Sequence, residues 1–179
     1  MERVCIFIDG SNLYHGLIKL TGSPYLNYQR FSELLSDGRK LIRVYYYNSP
    51  VNQDESPESY KKQQKFFSYL NHVPYLELRL GRLVTRSKQF GGIWYSFSVE
   101  KGVDVYLATD MLKYAFYDTY DTAILVSGDG DYADAVRAVK EKGKQVELAH
   151  FKTGDSEHLK TICDLCFLID SAFIAECNK

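Results

Sequence analysis

The stretch Ile124-Leu-Val-Ser-Gly-Asp-Gly-Asp-Tyr-Ala-Asp134 decides the fold. Its first half is an apolar run bounded by glycine, the pattern of a strand buried on both faces. Ser127 ends that strand, a tight turn carries Asp129 and Asp131, and a helix follows. Val4-Cys-Ile-Phe-Ile-Asp-Gly-Ser-Asn12 has the same form: an apolar strand, then Asp9, then Gly-Ser-Asn opening a helix. Open α/β sheets place ligands beyond the carboxyl ends of their strands. Two such strands in one parallel sheet therefore bring Asp9, Asp129 and Asp131 to one edge. Clustered carboxylates repel and raise one another's pKa, and a divalent cation is the simplest thing that makes the cluster favourable.

Outward from these two strands, periodicity predicts strands over 3–9, 40–48 and 145–150 and a short one over 165–169. The helices expected are 12–20, 28–35, 58–71, 103–117, 132–142, 156–162 and one from Ser171. Residues 75–85 alternate, with Leu76, Leu78 and Leu80 against Glu77 and Arg79, and read as one half-buried strand. Residues 86–92 read as a basic turn, and Ile93 to Phe97 as the return of a hairpin. Strands alternating with helices predict a parallel, doubly wound sheet with right-handed crossovers. The fold class expected is thus α/β, in one domain over 1–179, since 179 residues fit a single core.

Net charge is −1, so nothing in the overall charge attracts nucleic acid, and any such surface is a local patch. Two patches qualify. Lys61, Lys62 and Lys65 share a helix face, either solvated or tracking phosphates. Arg79, Arg82, Arg86 and Lys88 accompany Phe90, Trp94 and Tyr95, the composition of a single-strand groove. An edge guarded against aggregation has the same composition. The cysteines are Cys5, Cys163, Cys166 and Cys177. No leader precedes Cys5, and no apolar run approaches the roughly 18 residues of a span. Reduced thiols in the cytoplasm are expected. Cys163-Asp-Leu-Cys166 lacks the second ligand pair of a zinc site.

Three chemistries fit the carboxylates. Gly128-Asp-Gly-Asp-Tyr-Ala133 matches a dinucleotide fingerprint, with Glu147 near the expected distance, but its two Asp residues would face a pyrophosphate. Asp9 together with the Asp129 turn resembles the haloacid dehalogenase phosphatases. Ser11 stands where their general acid belongs, and only position offers Lys101 or Lys113 as the lysine. The third reading needs no missing part: Asp9, Asp104, Asp129 and Asp131 as ligands of Mg²⁺ or Mn²⁺. Two such ions about 4 Å apart activate water and stabilise the leaving oxygen in phosphodiester cleavage. Ser11 and Asn12 at a helix N-terminus, and the Ser127 hydroxyl, would orient phosphate or water. Asp104 alone also reads as a first-turn acid. Asp110 falls on another side of the same helix, and Asp134 is either a supporting group or a first-turn acid.

Phe7-Ile-Asp-Gly-Ser-Asn12, Lys101-Gly-Val-Asp-Val105 with Asp110, and Val126-Ser-Gly-Asp-Gly-Asp-Tyr132 together resemble a NYN domain of the LabA-like group. The segments Ser156-Glu-His-Leu159 and Cys163 to Ile169 resemble the closing part of that group. The resemblance implies a PIN-like three-layer fold, a mainly parallel sheet flanked by helices, here with a β-hairpin arm. It implies a metal-dependent ribonuclease with Asp9, Asp104, Asp129 and Asp131 as the metal-binding acids, and RNA as substrate. Lys101, Arg82 and Arg86 are then substrate-binding candidates. A non-catalytic RNA- or nucleotide-binding regulatory module is the competing class, and PIN-like sites completed in dimers make a homodimer an expectation.

Overall fold

The computed structural model describes residues 1–152 and 157–179, with backbone alone at 93, 96–98 and 100. The strands are β1 (Arg3–Asp9), β2 (Lys40–Asn48), β3 (Leu76–Leu80), β4 (Arg82–Phe90), β5 (Ile93–Lys101), β6 (Thr122–Val126), β7 (Gln145–His150) and β8 (Leu165–Leu168). The helices are α1 (Gly10–Thr21), α2 (Tyr28–Ser36), α3 (Pro57–Leu70), α4 (Val103–Phe116), α5 (Ala133–Glu141), α6 (Glu157–Ile162) and α7 (Ser171–Cys177). Six strands form one parallel sheet in the order β3-β2-β1-β6-β7-β8. The order reverses between β1 and β6, so these two neighbours form the switch point where such sheets bind ligands.

Side chains alternate across a strand, and β1 divides accordingly. Val4, Ile6 and Ile8 pack with α1, α2, α3 and α7, through Leu13, Leu17, Phe31, Leu70 and Ile174. Cys5 and Phe7 face α4, α5 and α6, through Leu107, Met111, Val136 and Leu159. The result is three layers, helices on both faces of a parallel sheet, the α/β PIN-like architecture expected.

Four readings need correction. Residues 75–85 are two strands, not one. β3 lies parallel to β2, whereas β4 leaves the sheet and pairs antiparallel with β5, from Arg82↔Lys101 to Phe90↔Ile93. The break is Gly81. A Cβ there would stand 2.7 Å from Val103 Cγ2, 2.9 Å from Ser49 Oγ and 3.0 Å from the Lys101 carbonyl, so only glycine fits the junction. The basic segment 86–92 is strand up to Phe90. Its turn is Gly91-Gly92 alone, both at positive φ, as a two-residue hairpin turn requires. Arg79 consequently belongs to the sheet and not to the arm. It pairs with Glu77 at 2.8 Å and donates to the Tyr114 hydroxyl at 3.0 Å. Finally, the helix after Asp131 is preceded by a 3₁₀ turn over Gly130–Tyr132, and Ser156, expected to open α6, lies outside the described residues.

Candidate active site at the switch point

Asp9 ends β1 and caps α1. Its backbone is extended, and its Oδ1 accepts the Asn12 N–H at 3.0 Å, the N-cap arrangement that Asp favours. Its Oδ2 faces β6, where the Ser127 hydroxyl donates at 3.1 Å. Ser127 Oγ in turn accepts the Asp129 N–H at 3.1 Å. One buried hydroxyl thus links the two strand ends. Asp129 folds its own turn, its Oδ1 accepting the Asp131 N–H at 3.0 Å.

Tyr132 supplies the third connection. Its ring is buried in the core, and its hydroxyl lies 3.0 Å from Asp104 Oδ1 and 3.4 Å from Asp9 Oδ2. One phenolic proton therefore serves two carboxylates from different elements, one of them in the first turn of α4. Asp9 is 6% exposed. Burial pushes its carboxyl pKa up, the Asn12 N–H and Ser127 hydroxyl oppose this, and the charges of Asp104 and Asp129 push it up again. Burial and then the same acids push the Tyr132 phenol up, so it stays a donor.

Asp9, Asp104 and Asp129 line one cavity of about 410 Å³, with Ser11, Asn12 and Lys101. Asp131 does not. The 3₁₀ turn carries its side chain to the exposed surface. Asp110 sits elsewhere on α4, accepting the Tyr47 hydroxyl at 3.0 Å near Arg79 and Lys113. Asp134 is exposed and pairs with Arg137 at 2.7 Å. Arg82 and Arg86 lie on the exposed arm, outside the cavity. Sequence reasoning missed Tyr132 as a site residue, and also His15, Lys19, Asn48, Ser49 and Phe151 on the cavity wall. The helical spacing of Asn12, His15, Gly16 and Lys19 would have found the α1 members. Glu147, the would-be ribose ligand, is bound by Arg39 at 2.7 Å.

Among the described residues, no three Asp, Glu, His or Cys side chains stand together closely enough to hold a metal ion between them. Mg²⁺ asks for less. It keeps several waters and takes one or two carboxylates plus substrate phosphate. Asp9 and Asp104, bridged by Tyr132, with Asp129 on the same cavity, fit that demand.

A parallel sheet with acids at its switch point defines the broad class, and comparison narrows it. The chain belongs to the NYN domain family, whose model matches residues 3–170. NYN domains are generally nuclease-like hydrolases of PIN-like fold, in an RNA-related family. The chain is 35% identical over 77 residues to the uncharacterized protein MJ0482 of Methanocaldococcus jannaschii. That match spans 43% of this chain and 32% of the relative, about a third of its length. A protein of unknown function from Vibrio parahaemolyticus, VPA0982, superposes with a TM-score of 0.74 at 24% identity, over 97% of this chain and 96% of that one. This likeness shows the fold. No helix among the described residues is long and apolar enough to cross a membrane.

Proposed function

We propose that this protein is a metal-dependent ribonuclease that cleaves phosphodiester bonds of single-stranded RNA at the Asp9–Asp104–Asp129 cavity. The observation that carries the reading is the convergence of three carboxylates from three separate segments, two of them sharing the Tyr132 hydroxyl. Asp9 and Asp129 anchor a Mg²⁺ or Mn²⁺ ion and Asp104 completes the set, with Asp131 a further ligand only if its turn reorients. The ion supplies positive charge against the phosphate oxygens and acidifies a water. The chain's own groups do the rest. Ser127 and the Asn12 N–H fix the Asp9 carboxylate, so no reorganisation is needed when charge develops. Tyr132 sets the orientation of Asp104. Ser11 and the Asn12 amide, in the first turn of α1, face the phosphate. Arg82, Arg86 and Lys88 of the arm, beside the exposed Phe90, Trp94 and Tyr95, guide the strand by charge and stacking. The Lys61–Lys65 face of α3 extends that path. The proposal includes the LabA-like subgroup, a single domain over 1–179, a cytoplasmic location and a homodimer.

One observation favours the second reading, a regulatory module that binds RNA or a nucleotide without turnover: no ready three-ligand metal group stands among the described residues. Labelled single-stranded RNA incubated with Mn²⁺, with EDTA as control, separates the two. Cleavage that needs Mn²⁺ and disappears in Asp129→Asn is the expected result. Binding without cleavage establishes the module instead. Hydrolysis of small phosphate esters through an aspartyl-phosphate would establish the phosphatase.

A further inference from the structure

The outward face of α4 takes no part in the chemistry above. Leu107, Met111 and Ala115 bury one side of this helix in the core. The opposite side is apolar as well. At 3.6 residues per turn, Val105, Thr109, Leu112 and Phe116 fall within about 60° of one another, with Tyr106 and Tyr117 along one flank. Val105, Phe116 and Tyr117 are 65%, 65% and 71% exposed. By contrast α2, α3 and α5 turn charges outward: Arg30 and Glu33, Lys61 and Lys65, Asp134 and Arg137. A helix apolar on opposite sides is one that is buried on both, and α4 is covered on one.

Spacing, charge and area point to what covers the other. Along the stripe the steps are four, three and four residues, the same read from either end. This is a two-heptad seam, the pattern that packs on a second helix. Two copies laid antiparallel about a two-fold axis set Val105 against Phe116 and Thr109 against Leu112, a smaller side chain against a larger one at every level. One charged side chain lies on this face, Lys113, and it already stands 4.0 Å from Asp110 and 5.0 Å from the Tyr114 ring centroid. Pairing therefore brings no uncompensated charges together, and the face offers little charge to a strand of RNA. An aromatic side chain presents about 150–250 Å², so Tyr106, Phe116 and Tyr117 leave roughly 350 Å² open at their exposures. With the rest of the stripe two copies bury about 1,000 Å², the lower bound for a specific interface.

We infer that α4 is a self-association face: two copies of this chain pair α4 with α4, antiparallel, across an axis near Thr109 and Leu112. The dimer is of the weak, micromolar kind that an interface of this size supports. Asp104 stands in the first turn of α4, so the two acidic sites lie roughly 20 Å apart along the seam. This face gives the homodimer of the nuclease reading its surface, but pairing is measurable without cleavage.

The test is sedimentation of the full chain from about 1 μM to about 200 μM, a range that brackets a micromolar dissociation constant. The weight-average mass rises from one chain toward two. Val105→Glu and Phe116→Glu each weaken association about tenfold or more, with Tm at the dilute end unmoved, because both side chains are exposed in the single chain. Leu165→Glu, at a residue 63% exposed on β8, leaves association unchanged. In a Cys166→Ser chain, a short bis-maleimide links Thr109→Cys copies, roughly 5 Å apart along the seam, and not Val105→Cys copies, roughly 17 Å apart. A chain that stays monomeric throughout overturns the proposal. So does association that Leu165→Glu removes and the α4 variants keep, or equal linking of the two cysteine variants. A monomer that binds phosphatidylcholine–phosphatidylserine vesicles, and loses them in Phe116→Glu, would assign the face to a lipid surface and overturn it too. A chain that stays monomeric yet cuts RNA with Mn²⁺ sinks the dimer and leaves the nuclease standing. One that pairs through α4 and cuts nothing does the reverse.

Discussion

Asp9 carries two duties. As a cap it needs only an acceptor for the Asn12 N–H, which asparagine also supplies. As a site residue it needs charge, and the fold resists that charge because the side chain is buried beside two other acids. The sign follows. A carboxyl whose folded pKa lies above its unfolded value favours the folded state below the unfolded pKa, and this is lost as pH rises through the folded value. Asp9→Asn is therefore expected to raise Tm in EDTA at neutral pH by about 2–4 °C, equivalent to about 1 kcal/mol in a chain of this size. It should also flatten the fall of Tm with rising pH, and abolish cleavage. A thermal melt series in EDTA from acid to neutral pH measures this; a lower Tm in the variant would mean that the carboxylate contributes more as a cap than it costs by repulsion. At this scale the sequence shows which acids stand near the strand ends, but not where their side chains point. Asp129 and Asp131 stand two residues apart in one turn, yet one lines the cavity and the other faces solvent. Spacing does not encode how a 3₁₀ turn aims a side chain. Tyr132 escaped notice for a related reason. Its hydroxyl meets partners 28 and 123 residues away, and nothing local to a tyrosine announces them.

Among the elements, β1, β2 and β7 have the bounds that sequence periodicity predicts, because their apolar runs end abruptly in Asp, Asn or a polar loop. The arm did not. Residues on both sides of Gly81 alternate with the same period, and a period of two does not say which partner a strand pairs with. The close approach of Val103 and Lys101 to Gly81 decides it. The arm's role is separable from the fold, since β4 and β5 pair with each other and with no strand of the large sheet. Val84 pairs with Val99, so joining these two through an Asn-Gly turn removes the tip with Arg86 and Lys88. Tm should stay within about 2 °C of the parent, as surface changes usually do. RNA affinity should fall, and its dependence on log salt should become shallower by about 1.4, two phosphate contacts at roughly 0.7 each. Fluorescence anisotropy at several salt concentrations measures the slope; an unchanged slope would remove the arm from the RNA path.

On the scale of the whole molecule, alternating strands and helices made the parallel sheet legible, but strand order was not. Every central strand is apolar, and right-handed crossovers allow several orders. The order β3-β2-β1-β6-β7-β8 is what sets the ends of β1 and β6 side by side. A cation that binds only this folded assembly must stabilise all of it, by about 2.7 kcal/mol when present at 100 times its dissociation constant. Mn²⁺ is thus expected to raise the Tm of the parent chain by several degrees and to leave Asp9→Asn and Asp104→Asn nearly unmoved. Equal rises in all three would place the ion elsewhere.

The Gly81 junction has a consequence for how such a chain changes over time. The hairpin leaves and rejoins the body through a single facing pair, Arg82 and Lys101. Whatever is spliced between those two positions, longer, shorter or differently charged, leaves the strand order of the large sheet as it is. The hairpin is thus an exchangeable cassette, one that can be swapped while the acids at the ends of β1 and β6 keep their places.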